Sequence, residues 1–240
     1  MSYKNFAYYY DLMMNDVDYS WWLEIINEHV PKNSHILDVA CGTGTIAIEL
    51  GCSGYKVTGL DISEDMLVVA SEKAELVGAK CEIDIEFIQK DMTEIAELTN
   101  FDAITITLDS LNYLQTLSEV KKTITGANNA LNDGGILIFD VHTPEKITNV
   151  LNDYLFVDND LDLTYIWFVT KGAKPLSIEH ELTIFAKNEA GSYDKYMEHH
   201  YQKTFEHGVY TALLTEARFE ILKTYEEEGR RLYVTKKIGN

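Results

Sequence analysis

A chain of 240 residues, 46% hydrophobic and 25% charged, can bury a full core as one domain or as one domain with an insertion. Twenty basic residues against 39 acidic ones leave a net charge of −19. Such a field repels nucleic-acid phosphates and anionic membrane surfaces and tolerates a neutral or cationic small molecule as partner.

Cys41, Cys52 and Cys81 are odd in number and contain no C-x-x-C pair, which suggests neither a disulfide framework nor a zinc site. The N-terminus has no signal-peptide core, and no run approaches the roughly 18 apolar residues of a membrane span. A cytoplasmic protein that binds no membrane and no nucleic acid is expected, as monomer or homodimer.

Residues 3–30 carry Phe6, Tyr8, Tyr9, Tyr10, Trp21 and Trp22. Apolar positions at helical spacing predict two helices joined near Asn15–Asp18, the second capped by Asp18 or Ser20. His35–Val39 is a short apolar run of the kind that forms a buried parallel strand. Ala40–Gly44 is a turn of small residues, and Thr45–Gly51 reads as a helix with glycine at its C-terminal end. Strand, glycine turn and helix bring backbone N–H groups close to a nucleotide-type ligand, and side chains at Gly42 or Gly44 would hold that ligand away. Gly42-Thr-Gly44-Thr-Ile-Ala47 fits the dinucleotide pattern G-x-G-x-x-A, so a nicotinamide cofactor is one reading.

Tyr55–Leu60 is a second strand, and Asp61 follows at its end, 17 residues beyond Gly44, where a carboxylate can accept from both ribose hydroxyls. Ser63 caps the next helix, with Glu64 and Asp65 suited to its positive end. Ile83–Gln89 is a third strand leading to Asp91-Met92, and Phe101–Leu108 a fourth leading to Asp109-Ser-Leu-Asn-Tyr113. Ligands of open parallel sheets bind outside the carboxyl ends of strands, so Asp109, Asn112 and Tyr113 should border the reacting group. After a crossover helix at Ser118–Leu131, Asn132–Gly135 turns into a fifth strand, Ile136–His142, which brings Asp140 and His142 to the same edge.

Residues 154–206 alternate apolar and polar side chains and predict three or four antiparallel strands over that edge. A helix at Gly208–Ala217 and strands at Phe219–Tyr225 and Arg231–Lys237, joined around Glu227–Gly229, end the chain. Neither H-x-x-x-H nor H-E-x-x-H occurs, no metal site is expected, and His199 and His200 should point to opposite faces of their strand.

Asp38-x-Ala40-x-Gly42-x-Gly44, Asp61, Asp91-Met92 and the post-strand-four segment, in that order, resemble the cofactor edge of class I S-adenosylmethionine-dependent methyltransferases. Phe6-Ala7-x-x-Tyr10-Asp11 with Asp16-x-x-Tyr19-x-x-Trp22 is similar to the N-terminal cap of a group of small bacterial members. The resemblance implies an α/β fold, a Rossmann-like three-layer sandwich around a mostly parallel seven-stranded sheet with an antiparallel last strand. It divides the chain into a cofactor-binding domain, residues 1–152 and 207–240, and an inserted antiparallel β substrate cover at 153–206. Ala40 stands where glycine is usual, and fits if its φ stays below zero.

The same resemblance implies S-adenosylmethionine as cofactor. It would be held by Tyr10, Tyr19, Asp38, Ala40, Cys41, Gly42, Thr43, Gly44, Asp61, Ile62, Met66, Asp91, Met92 and Leu108. Methyl transfer to a small molecule would proceed by in-line displacement, with Asp109, Tyr113 and His142 as candidates for the catalytic end. Asp109, His142 or His199 could take a proton from an amine or hydroxyl acceptor. Two other classes stay open at this point: an NAD(P)-dependent oxidoreductase, and a protein that binds S-adenosylmethionine without turning it over.

Overall fold

The structure is a computed structural model that describes residues 4–159, 163–188 and 190–239. Residues 160–162 and 189 of the expected insertion lie outside the described residues.

Two helices, α1 (Lys4–Met13) and α2 (Ser20–His29), precede β1 (His35–Val39), α3 (Thr45–Cys52), β2 (Lys56–Asp61), α4 (Glu64–Gly78), β3 (Asp84–Gln89) and β4 (Phe101–Ile106). Then follow α5 (Leu117–Ala130), β5 (Leu131–His142), strands β6 (Tyr154–Asn159), β7 (Leu163–Lys171), β8 (Ser177–Lys187) and β9 (Tyr193–Lys203), α6 (His207–Glu216), β10 (Phe219–Glu227) and β11 (Arg230–Lys237). The main sheet has the order β10-β11-β5-β4-β1-β2-β3, and β11 runs antiparallel to both its neighbours.

Strand alternation builds the layers. Leu37, Val39, Ile104, Leu137 and Phe139 face one core with α5 and α6, through Val120, Ile124, Tyr210 and Leu214. Ile36, Ala103, Ile136 and Ile138 face the opposite core, where α2 and α3 supply Trp22, Ile26, Ile46 and Leu50. Successive residues point to opposite faces, so a strand covered on both sides must be apolar almost throughout. The strands β6 to β9 form a second, fully antiparallel sheet. Phe6 of α1 packs on it against Leu163, Ile184 and Ala186.

Local chemistry places the element ends. Ser63 Oγ accepts from Met66 N at 3.3 Å, as expected of an N-cap. Tyr19 is the N-cap of α2, yet Asp18 Oδ1 accepts from Ser20 N at 2.9 Å, so the expected aspartate does satisfy a helix-start donor. Gly51 does not end α3; it stays helical, and Gly54 takes the left-handed conformation at φ +88° beyond Ser53. Strand β5 begins earlier than expected, because Leu131 already pairs with Phe101. Pairing resumes at Ala103 with Ile136, so Asn132–Gly135 is an excursion inside the strand. In the last hairpin Glu228 and Gly229 both have positive φ, 49° and 70°, matching a turn whose twist suits a hairpin.

Candidate cofactor and acceptor site

The turn after β1 is held by the backbone. Cys41 N donates to Leu60 O at 2.9 Å and Gly44 N to Cys41 O at 2.9 Å. Ala40 has φ +57°, contrary to the expectation that it keeps φ negative. The tight exit from β1 requires left-handed backbone there, so an alanine accepts the steric strain that glycine would avoid, about 1–2 kcal/mol. Gly44, at φ +75°, could carry no side chain, since a Cβ would lie 2.9 Å from Ala70 Cβ on α4. Gly42 differs: a Cβ there would meet nothing within 4 Å, so its backbone faces open space. That space is a cradle a ligand can enter and a side chain would obstruct.

Asp61 closes this cradle. Its Oδ2 accepts from Gly42 N at 2.8 Å and its Oδ1 from Ser63 N at 2.8 Å, which leaves lone-pair capacity on both oxygens. Burial raises its pKa, and the N–H groups of Ser63, Gly42 and Ile62 oppose the rise. Asp38 is 2% exposed and takes a hydrogen bond from Thr105 Oγ1 at 2.7 Å. Burial pushes its carboxyl up to about 7, Thr105 opposes this, and the Asp61 charge adds to it. A cation delivered beside Asp38 would return it to the ionised form. Asp91 Oδ1 accepts from Thr93 N at 2.7 Å and starts the 3₁₀ turn Met92–Glu97. Met92 packs against the α5–α6 core, whereas Ile62 is 65% exposed beside Asp61 and Met66 sits with the cluster under α1.

The N-terminal cap is fastened to the turn. Asp11 of α1 accepts from Thr43 Oγ1 at 2.5 Å and from Lys73 Nζ at 2.7 Å, and Lys73 also donates to Thr45 Oγ1 at 2.9 Å. Tyr8 donates to Glu72 on α4 at 3.0 Å. Tyr10 is half-buried, and its hydroxyl is pushed well above its usual range by burial, then by the neighbouring Tyr113, Tyr19 and Asp109. Tyr19 is likewise raised, by burial and by the Asp11 charge.

At the end of β4, Leu108 and Asp109 both adopt left-handed backbone, φ 56° and 53°. Two consecutive non-glycine residues in that region mark a site where the surroundings override local preference. Asp109 N donates to Asp140 Oδ2 at 2.9 Å, while Arg230 donates to Asp109 Oδ1 through Nη2 at 2.8 Å and Nε at 3.1 Å. Gln202 Nε2 reaches Asp109 Oδ2 at 2.7 Å, and His142 Nε2 lies 3.4 Å from the same oxygen. Burial would raise the Asp109 pKa, but His142 and Arg230 beside it hold the carboxyl far below the usual range. Asp109 therefore has neither a free lone pair nor the basicity to take an acceptor's proton, contrary to that part of its expected role.

Asp140, fully buried, accepts from Trp22 Nε1 at 2.8 Å, and burial with the Asp109 charge pushes it up to about 6. Asn112, expected near the reacting group, is also fully buried, with both ends of its amide engaged by backbone. Its Nδ2 donates to Lys203 O at 2.8 Å and its Oδ1 accepts from His142 N at 2.9 Å, which ties β9 to β5.

A polar chain continues into the cover sheet. Trp167 Nε1 donates to His180 Nδ1 at 2.9 Å, and His180 Nε2 lies 3.1 Å from Gln202 Oε1. An indole can only donate, so His180 carries its proton on Nε2 and donates a hydrogen bond to Gln202 Oε1, which leaves the Gln202 amide N–H to point at Asp109. Burial lowers the His180 pKa to about 4, which keeps the ring in this neutral form.

Beside this chain, on the residue paired with His180, begins an aromatic cluster. His200 stands 5.8 Å from the Phe6 ring and 5.9 Å from Tyr113, edge to face, and Phe6 lies 5.9 Å from Tyr10. Tyr113 is 46% exposed. His199 and His200 do alternate: His199, expected as a candidate base, is exposed, and His200 is the imidazole packed among these rings. Its pKa is lowered by burial and then by His199. His142 is buried with Nδ1 unpartnered.

The structure thus brings Tyr10, Tyr113, Asp109 and His142 to one end of the sheet and Ala40–Gly44 and Asp61 to the adjoining turn. The sequence reading overlooked Arg230, Gln202, His180, Trp167 and His200. Arg230 had a legible signal, being the first residue of a strand that runs back from the ligand edge. Among the described residues no group of three or more His, Cys, Asp or Glu is placed to hold a metal ion, and no helix is long and apolar enough to cross a membrane.

The family description "Methyltransferase domain" matches residues 31–201. A Bacillus subtilis (strain 168) protein named YqeM, provisionally a methyltransferase, is 40% identical over 222 residues, covering 92% of this chain and 87% of its own. A crystal structure of a S-adenosylmethionine-dependent methyltransferase from Clostridium acetobutylicum superposes with a TM-score of 0.83 at 27% identity, covering 99% of both chains. DesVI of Streptomyces venezuelae has the same fold, with a TM-score of 0.80 at 22% identity over the full length of both chains.

Proposed function

The chain belongs to the methyltransferase-domain family and uses S-adenosylmethionine, and on that premise we propose that it methylates a small-molecule amine or hydroxyl at the aromatic cluster. The observation that carries this reading is the contiguity of an open glycine cradle closed by Asp61 with an aromatic cluster ended by Asp109 and His200. An oxidoreductase reading of Gly42-x-Gly44-x-x-Ala47 is set aside by the family.

When bound, the cofactor supplies a methyl group on a sulfonium, already activated for in-line displacement by the acceptor's lone pair. The residues fit it. The Gly42 backbone leaves room, Asp61 retains lone pairs for ribose hydroxyls, and Asp38, short of a cationic partner, suits the ammonium of the amino-acid tail. Asp91, Ile62, Met66 and Met92 would hold the base, a carboxylate acceptor for its amine with apolar side chains for its faces. Tyr10 and Tyr19 close the slot from α1 and α2, and the Asp11–Thr43 bond couples that closure to the turn.

On the acceptor side the protein aligns and dries the nucleophile rather than activating it strongly. Tyr113, Phe6 and Tyr10 offer aromatic faces that suit an apolar or cationic body. His200, whose pKa burial lowers, takes the proton that an amine or hydroxyl must lose, and His142 presents an unpartnered Nδ1 beside Asp109. Asp109 positions instead: it fixes Arg230 and Gln202 and thereby the seat of the cover sheet.

Calorimetry with S-adenosylhomocysteine and radiolabel transfer from S-adenosylmethionine to a panel of small amines, phenols and alcohols test the reading. Saturable binding with transfer to at least one acceptor is expected. Tight binding without turnover on any panel would indicate a non-catalytic binder, and absence of binding would overturn the assignment of the cradle.

A further inference from the structure

Away from the cofactor edge, α3 and α4 run back along the sheet and end on its opposite side, as crossover helices of parallel strands must. Cys52 is the last residue of α3, and Cys81 follows Gly78, the last of α4, by three positions. Their Sγ atoms stand 2.8 Å apart although the residues are 29 positions apart in sequence. Cys52 is exposed and Cys81 half-buried, so small reagents reach both.

The approach is set by packing rather than by a flexible encounter. Ile83, two residues after Cys81, wedges between the helix ends: a Cβ on Gly51 would lie 3.5 Å from Ile83 Cβ, and one on Gly78 3.8 Å from Ile83 Cγ1. Both helix ends thus lie within ordinary packing distance of that side chain, and the thiols meet beside it. The remaining thiol, Cys41, lies in the glycine turn at the other edge, hydrogen-bonded to Gly42 O at 3.8 Å.

We propose that Cys52 and Cys81 are a redox modification site that closes an intramolecular disulfide when hydrogen peroxide oxidises it. One thiol loses its proton and attacks the peroxide; the O–O bond breaks, leaving a sulfenic acid and one water. The second sulfur then displaces the hydroxyl, forms the S–S bond and releases a second water. Two thiols give up two electrons and two protons, and the peroxide takes both.

The Cys52 thiol is pushed up to about 11, first by its hydrogen bond to Cys81, then by burial. Little thiolate exists at neutral pH, so the bridge forms faster as pH rises from 7 to 9. The bridge would staple the far ends of the two helices whose near ends carry the glycine turn and the Asp61 loop.

The test uses the full reduced chain treated with hydrogen peroxide at pH 8.5, then alkylated. The expected result is a mass loss of about 2 Da, a Cys52–Cys81 cross-linked peptide, alkylation of Cys41 alone and reversal by dithiothreitol. The melting temperature of the oxidised form should rise by on the order of 5 °C. Cys52→Ser and Cys81→Ser should show no mass loss, while Cys41→Ser should retain it. Persistent alkylation of Cys52 and Cys81, a bridge that includes Cys41, or covalent dimers between chains would overturn the proposal. The peptide map of the unsubstituted chain decides the matter even if a variant folds poorly.

Discussion

Replacing Arg230 by Met isolates the energetics of the acceptor end. Asp109 is 9% exposed, and its charge faces His142 together with the two guanidinium hydrogen bonds of 2.8 and 3.1 Å. Removing one member of such a pair strands a buried carboxylate and costs about 3–5 kcal/mol. Gln202 and His142 stay on Oδ2, which places the expected loss at the lower end, about 3 kcal/mol. Asp109→Asn alone should cost less, and the double variant should be more stable than the sum of the two losses by about 1.5–3 kcal/mol.

The pH dependence carries the sign. In the unsubstituted chain the folded-state pKa of Asp109 is depressed, so its contribution is present above about pH 4 and is lost as pH falls below it. Without Arg230 the folded pKa rises while His142 and the Gln202 amide still hold it down, so the Asp109 contribution shrinks and is exhausted at a higher pH than in the unsubstituted chain. The stability gap between the two proteins should therefore stay level near neutral pH and narrow as pH falls through and below the ordinary carboxylate range. Urea unfolding followed by tryptophan fluorescence measures it. A gap under about 1 kcal/mol that does not change with pH would refute the argument that this pair is energetically coupled.

Other consequences are directly measurable. Asp61→Ala should weaken S-adenosylhomocysteine binding by about 1–3 kcal/mol in calorimetry through lost charged hydrogen bonds, and unchanged affinity would remove Asp61 from the ribose role. Gly42→Val should abolish that binding while the fold persists by circular dichroism, because its Cβ meets only the open cradle, although φ +55° adds about 1–2 kcal/mol of strain. His180 has a folded pKa of about 4 against an ordinary 6.5, so its contribution is complete above pH 6.5 and falls away by about 3 kcal/mol as pH drops to 4. His180→Gln should lack that slope, and a parallel pH profile would show that the ring titrates normally. Asp11→Ala should speed amide exchange across Lys4–Met13 with little change in melting temperature; unchanged exchange would mean that packing alone holds α1.

The sequence by itself determined the sheet and the cofactor turn, because those features are local. Buried parallel strands read as apolar runs such as His35–Val39, glycine turns as small residues, and Ser63 as a cap three positions before the N–H it satisfies. Only the tertiary structure decided the acceptor end. Arg230 meets Asp109 across 121 positions and Gln202 meets it across 93, and no periodicity encodes such distances. It also decided which of His199 and His200 enters the cluster, since strand alternation separates the two faces but the docking of the cover sheet chooses between them. Ala40 shows the same limit from the other direction: local preference favours negative φ, and the bonds from Cys41 and Gly42 to β2 and its end turn the chain the other way.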